Sequence, residues 1–146
     1  MAAEDPSAAA VMFRKSIDLD PCYVDVYRRY FAARAEKAAV AVSGKPPALL
    51  QWSPAELAAS RHERDELKRE FRQLAAAHPR EPGYQYALGQ LEGESPSGVP
   101  YYERAIALDP TLVPAYHCLM NAAIMAGDAK RALQYAEQCA ASDSTN

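Results

Sequence analysis

At 146 residues and 49% apolar content, the chain is long enough to bury a core and too apolar to be intrinsically disordered. Charged residues make up 24%, mixed in sign along the chain, and the formal net charge is -3, so the clustered basic surface that nucleic acid requires is not expected. No apolar run approaches the roughly 18 residues of a membrane span.

The three cysteines, Cys22, Cys118 and Cys139, are odd in number and far apart. None has the close spacing of a zinc knuckle or a redox pair, and a free cysteine among apolar neighbours behaves as a small hydrophobe. That usage fits a reducing compartment. The N-terminal residues lack the basic region and apolar core of a signal peptide. A cytoplasmic location is expected.

Good helix formers dominate throughout. Asp5 before Pro6 reads as an N-cap with proline in the first turn, opening a helix to about Leu19. A second helix is expected over about Cys22 to Val42, and Ser43-Gly44-Lys45-Pro46-Pro47 breaks it. Ala48 to Trp52 bridges to the next element. The lone Trp52 there is a binding anchor or a staple back onto the helices, and the staple is the preferred reading. Ser53-Pro54-Ala55-Glu56 is a capping box, starting a helix that runs to about Ala77, about 36 Å at 1.5 Å per residue. Four shorter helices follow, over about Gly83 to Leu91, Val99 to Leu108, Val113 to Ala126 and Ala129 to Ala141. Gly93, Pro96, Gly98, Asp109-Pro110 and Gly127-Asp128 separate them. Seven helices on short turns predict sequential antiparallel packing.

An internal repeat runs through these helices. Phe13 to Pro21, Phe71 to Pro79 and Tyr102 to Pro110 share one form: an aromatic, a packing position three residues later, and a proline eight residues after the aromatic. At the same offset beyond each proline another helix begins, at Val26-Tyr27, Tyr84-Gln85 and Ala115-Tyr116. The pattern resembles the tetratricopeptide repeat (TPR), whose period is about 34 residues. Pro79 and Pro110 lie 31 residues apart, close to one period. Pro21 and Pro79 lie 58 apart, which implies an insertion of about 24 residues around a loop at 43–53.

The resemblance implies an all-α fold over residues 1–146 as one domain: a TPR-like right-handed solenoid of antiparallel helix pairs, about seven helices, with one irregular unit carrying the insertion. Leu88-Gly89 matches the family's leucine-glycine pair, where glycine lets two helices approach closely. Tyr116, Leu119, Gly127 and Ala132 match the large aromatic, the leucine, the inter-helix turn and the small contact of the last unit, although Met120 stands where glycine is usual. In the inserted unit Phe31 falls on a glycine position and Leu67 on an alanine position, so that hairpin is expected to splay. The chain begins with a second helix whose first is missing. It is either a piece of a longer array or has its ends covered by another chain.

Sites of chemistry are few. His62 and Glu66 lie four apart on one charged helix face, the spacing of an ordinary solvated pair, without the second histidine of a zinc-protease helix. Ser53 is explained by capping, and no glycine-rich phosphate loop is present. No catalytic residue, metal site or cofactor is assigned, and an enzyme is not expected.

In the family the first helices of successive units line a concave groove that holds a partner peptide or helix. By register the groove-facing positions are Asp25, Arg28 and Ala32, then Tyr86 and Gln90, then His117, Asn121 and Ile124. Of these, Arg28, Gln90, His117 and Asn121 offer hydrogen bonds to a peptide, Tyr86 a flat apolar contact, and Ile124 an apolar one. The carboxylate clamp of chaperone-binding members finds only Arg28 at its positions, with Ala32, Ala87, Pro114 and Cys118 at the rest, so that subtype is not expected. The expected partner is another protein or peptide, with no nucleic acid and no membrane. The competing reading is a structural module that self-associates or stacks on a neighbouring domain through its terminal helices, with Phe13 and Tyr135 as its contacts.

Overall fold

Each helix starts and stops where local chemistry dictates. In the computed structural model, which describes residues 5–45, 51–93 and 95–143, seven α-helices follow one another: α1 Pro6–Leu19, α2 Asp25–Ser43, α3 Pro54–Ala77, α4 Pro82–Leu91, α5 Val99–Leu108, α6 Val113–Met125 and α7 Ala129–Asp143. No β-strand occurs among the described residues. Within the loop expected at 43–53, Pro46, Pro47 and the residues to Leu50 lie outside that description.

The caps follow the sequence closely. The Asp5 carboxylate accepts from the Ser7 N–H at 3.0 Å. The capping box at α3 is reciprocal: the Ser53 N–H donates to Glu56 Oε2 at 2.7 Å, and the Glu56 N–H donates to Ser53 Oγ at 3.2 Å. The Ser53 backbone N–H also holds the Glu56 carboxyl below its ordinary pKa.

Two kinds of turn alternate along the chain. After α1 and after α5 the terminal residue is an aspartate in extended geometry, Asp20 at φ -147, ψ 92 and Asp109 at φ -137, ψ 95. Each then builds the same turn. Asp20 Oδ1 accepts from the Cys22 N–H at 3.0 Å, as Asp109 Oδ1 accepts from the Thr111 N–H at 3.0 Å. The Tyr23 N–H reaches the Asp20 carbonyl at 3.1 Å, as the Leu112 N–H reaches that of Asp109 at 3.2 Å. The proline that follows cannot donate, and it disfavours helical backbone in the residue before it. His78 before Pro79 ends α3 with the same type of bond, from the Glu81 N–H at 3.1 Å. By contrast, the links after α2, α4 and α6 pass through Gly44, Gly93 and Gly127, all at φ near +70, where a Cβ would be strained.

Two differences from the expected boundaries have a local cause, while α7 also runs two residues past the expected Ala141. α2 begins at Asp25 and not at Cys22, because Cys22 and Tyr23 are committed to the Asp20 turn. A single 3-10 turn, Pro96–Gly98, precedes α5; Ser95 Oγ caps it from the Ser97 N–H at 3.3 Å.

Packing divides the chain into two compact units, Met1–Phe71 and Arg72–Asn146. In the first, α1 lies against α2 and contributes Ala10 and Ile17 to the core, with Val26, Tyr27, Tyr30 and Ala33 from α2. Fully buried Phe71 closes this core from α3. Its ring meets Phe31 edge-on at 5.5 Å and Tyr27 edge-on at 5.7 Å. A layer of rings therefore stands at Phe31, where the repeat pattern would place a glycine, and α2 and α3 meet through side chains. Arg34 adds an ion pair to Glu63 and a 2.7 Å bond to the Tyr30 hydroxyl, and Arg14 of α1 pairs with Glu70. In the second unit α4, α5, α6 and α7 pack in chain order, each helix on the next. No helix among the described residues is long and apolar enough to cross a membrane.

Candidate functional site

The helix α4 is the most deeply enclosed of the seven, and at Gly89 it takes a ring of α5 directly on its backbone. A Cβ built there would lie 2.6 Å from Tyr102 Cε1, 2.7 Å from Cζ and 2.9 Å from Cδ1. Without a side chain at 89, the buried ring of Tyr102 lies directly on the α4 backbone, and α4 and α5 come together. This is the close contact expected of the Leu88-Gly89 pair.

That approach decides what happens to Tyr86 and Gln90. The Tyr86 ring stands edge-on to Tyr102, with centroids 5.5 Å apart at 64°, and Tyr86 is only 8% exposed. It is thus a wall of the core and not a flat open platform. The Gln90 Nε2 donates inward, to Tyr102 Oη at 2.9 Å, Tyr86 Oη at 3.2 Å and Cys118 Sγ at 3.4 Å. An amide has two N–H hydrogens, so three acceptors share them. Burial, and the Cys118 thiol beside it, push the Tyr102 phenol well above its ordinary pKa. Tyr102 therefore stays a neutral donor and acceptor at the centre of a network that joins α4, α5 and α6. Sequence reading placed Tyr86 and Gln90 at a free surface and missed this network. The usable signal was Gly89 thirteen residues before an aromatic.

His117, Asn121 and Ile124 are all exposed and fall at i, i+4 and i+7 on α6, one above another on a single helix face. Ile124 is 63% exposed and Met125 beside it 78%. The Gln90 to Cys118 bond sets α4 beside the start of this face. Between Pro114 and Met125 the stripe carries histidine, asparagine and apolar side chains, and no carboxylate, lysine or arginine. On the first unit, Asp25, Arg28 and Ala32 are likewise exposed on one face of α2.

The residues weighed for chemistry are accounted for by structure. His62 Nε2 lies 4.0 Å from Glu66 on an open surface of α3, where Arg69 also reaches Glu66 at 2.8 Å. The Ser53 hydroxyl is engaged in the capping box. None of Cys22, Cys118 and Cys139 is in a disulfide, and Cys22 is exposed. No group of three or more His, Cys, Asp or Glu that would hold a metal occurs among the described residues. Trp52 is half-buried. Of the contacts expected for association through the terminal helices, Phe13 is half-buried; Tyr135 is buried, and its hydroxyl donates to Glu103 at 2.8 Å. Neither is a free surface residue.

Compared with known proteins, the chain matches no family description, no curated protein and no solved structure.

Proposed function

We propose that the chain is a protein-interaction module: a TPR-like right-handed solenoid of helix pairs that binds a partner's peptide or helix on its first-of-pair helices, catalyses nothing and needs no cofactor. The repeat reading is supported by the alternation of turns, with aspartate-proline or histidine-proline closing α1, α3 and α5 and left-handed glycine following α2, α4 and α6. It is supported again at Gly89, where the glycine of the leucine-glycine pair is required by a ring.

The observation that carries the binding reading is the uncharged, open stripe of α6. Asn121 has an amide donor and acceptor free to pair with a peptide backbone, His117 a ring nitrogen, and Ile124 and Met125 supply apolar area at one end. Such a face costs little to desolvate, because no ion must leave water. Arg28 on α2 offers a charge-assisted contact at a separate point. Three cysteines outside any disulfide fit a reducing, cytoplasmic setting.

The test is partner capture by the wild type and by a His117→Ala/Asn121→Ala/Ile124→Ser variant. All three side chains are exposed, so the variant keeps its helix signal and melting temperature. Loss of a partner by a folded variant is the expected result. Equal retention of the same partner would remove α6 from consideration.

A further inference from the structure

Two serines in the chain are followed by proline, Ser53-Pro54 and Ser95-Pro96, and both are exposed. One class of protein kinase selects this pair, because its site leaves no partner for the N–H that any residue other than proline would bring. Spacing does not choose between the two serines; their surroundings do. Ser53 is held by the helix it starts. Its hydroxyl accepts from the Glu56 N–H at 3.2 Å, and its own N–H donates to the Glu56 carboxylate at 2.7 Å. Glu56 is buried, so the three residues after Ser53 are fixed as the first turn of a 24-residue helix. A kinase takes the residues around its acceptor serine as an extended segment, and at Ser53 that turn and both cap bonds would have to open. Ser95 is held more loosely. It already lies in extended backbone, at φ -87, ψ 146, two residues after the turn glycine Gly93. Pro96–Gly98 beyond it form a single 3-10 turn, whose hydrogen bonds are poorer than those of an α-helix. The cap bond there, from the Ser97 N–H to Ser95 Oγ, is 3.3 Å long, and both Pro96 and Ser97 are exposed.

We propose that Ser95, and not Ser53, is a phosphorylation site for a proline-directed serine kinase. In the transfer the Ser95 hydroxyl oxygen bonds to the γ-phosphorus of ATP. The bond from that phosphorus to the bridging oxygen breaks, ADP leaves, and the hydroxyl proton passes to the kinase's catalytic base. The product adds about two negative charges at neutral pH to the link between α4 and α5. Ser97 Oγ lies 2.7 Å from Ser95 Oγ and donates to Glu92 Oε2 at 3.0 Å. The phosphate therefore competes with Glu92 for the Ser97 hydroxyl and repels its carboxylate. Both groups stand at the surface, where salt screens the repulsion, so the folded chain tolerates the mark.

The test incubates the whole folded chain with ATP, magnesium and a purified proline-directed kinase of the mitogen-activated class. Intact mass counts the phosphates and peptide mass spectrometry places them. One phosphate per chain is expected, on Ser95, entering about tenfold or more faster than any on Ser53, because the cap bonds keep the first turn of α3 closed. Ser95→Ala should abolish it. Pro96→Ala, which removes only an exposed ring, should slow it by about tenfold or more with the helix signal unchanged. No phosphate on the folded chain overturns the proposal. So does phosphate on Ser53 at a comparable rate, or incorporation at Ser95 that is indifferent to Pro96→Ala.

Discussion

Gly89→Ala separates two opposed effects on one atom. Inside a helix alanine is favoured over glycine by about 1 kcal/mol, so propensity alone predicts a more stable protein. The added Cβ, however, would sit at 2.6, 2.7 and 2.9 Å from three atoms of the Tyr102 ring. Ordinary contact begins near 3.5 Å, so the ring and the α4 backbone must part by about 1 Å. Tyr102 is poorly placed to yield: its hydroxyl is bonded to Gln90 at 2.9 Å and its ring is wedged against Tyr86. Overpacking costs about 1–3 kcal/mol, and a bonded, wedged ring puts this case in the upper part of that range, about 2–3, so after the gain in propensity a net loss of about 1–2 kcal/mol remains. Urea unfolding should report that loss, with a melting temperature lower by about 3–6 °C. Placing Gly89→Ala in a Tyr102→Leu background, where the ring is gone, should recover most of the penalty. If Gly89→Ala in the native background stabilises the protein by about 1 kcal/mol, the close approach of α4 and α5 is wrong.

Two further outcomes follow from the bonds already described. Ser53→Ala removes the acceptor of the Glu56 N–H and should cost about 1 kcal/mol of stability, read by chemical unfolding; Ser53→Asp, another good cap, should cost far less. In alkali, burial raises Tyr102, Tyr116 and Tyr135 above the ordinary tyrosine value of 10.0. Their neutral forms stabilise the fold fully below pH 10, where folded and unfolded chains are both protonated. Above it the unfolded chain loses these protons first, so stability falls as pH rises. Absorbance near 295 nm should show these three phenols ionising only as the helix signal is lost. Ionisation of these three near pH 10 with the helix signal intact would contradict their burial.

The helices were legible in the sequence because their ends are set by contacts within a few residues. Asp5, Ser53 with Glu56, and the prolines after Asp20, His78 and Asp109 act on backbone groups that lie beside them in the chain. The surface was less legible because it depends on distances between helices. The register of the resembled repeat assigns Tyr86 and Gln90 to a groove, yet Gly89 admits Tyr102 so closely that both are drawn into a shared network. No spacing rule contains that distance. His117, Asn121 and Ile124 are exposed together because their spacing on one helix, which the sequence does carry, sets them on a single face of α6. Likewise Phe13 and Tyr135 are large and sit on terminal helices, but the 3.6-residue pattern alone does not say which of two apolar stripes is already taken. In α1 both stripes are apolar, and only the packing against α2 distinguishes them.

The order of packing also bears on how quickly each unit can form. The bond from Gln90 to Tyr102 spans 12 residues and that from Gln90 to Cys118 spans 28, so the second unit assembles from short loops. The first unit must bring Glu70 back to Arg14, across 56 residues. Chain statistics make the longer closure more expensive than the 12-residue one by roughly 1 kcal/mol of entropy. Local contacts favour rapid folding, so the α1–α2 pair and the segment from α4 to α7 can each form early, and the docking of α3 onto α1 is the step that must close the longest loop.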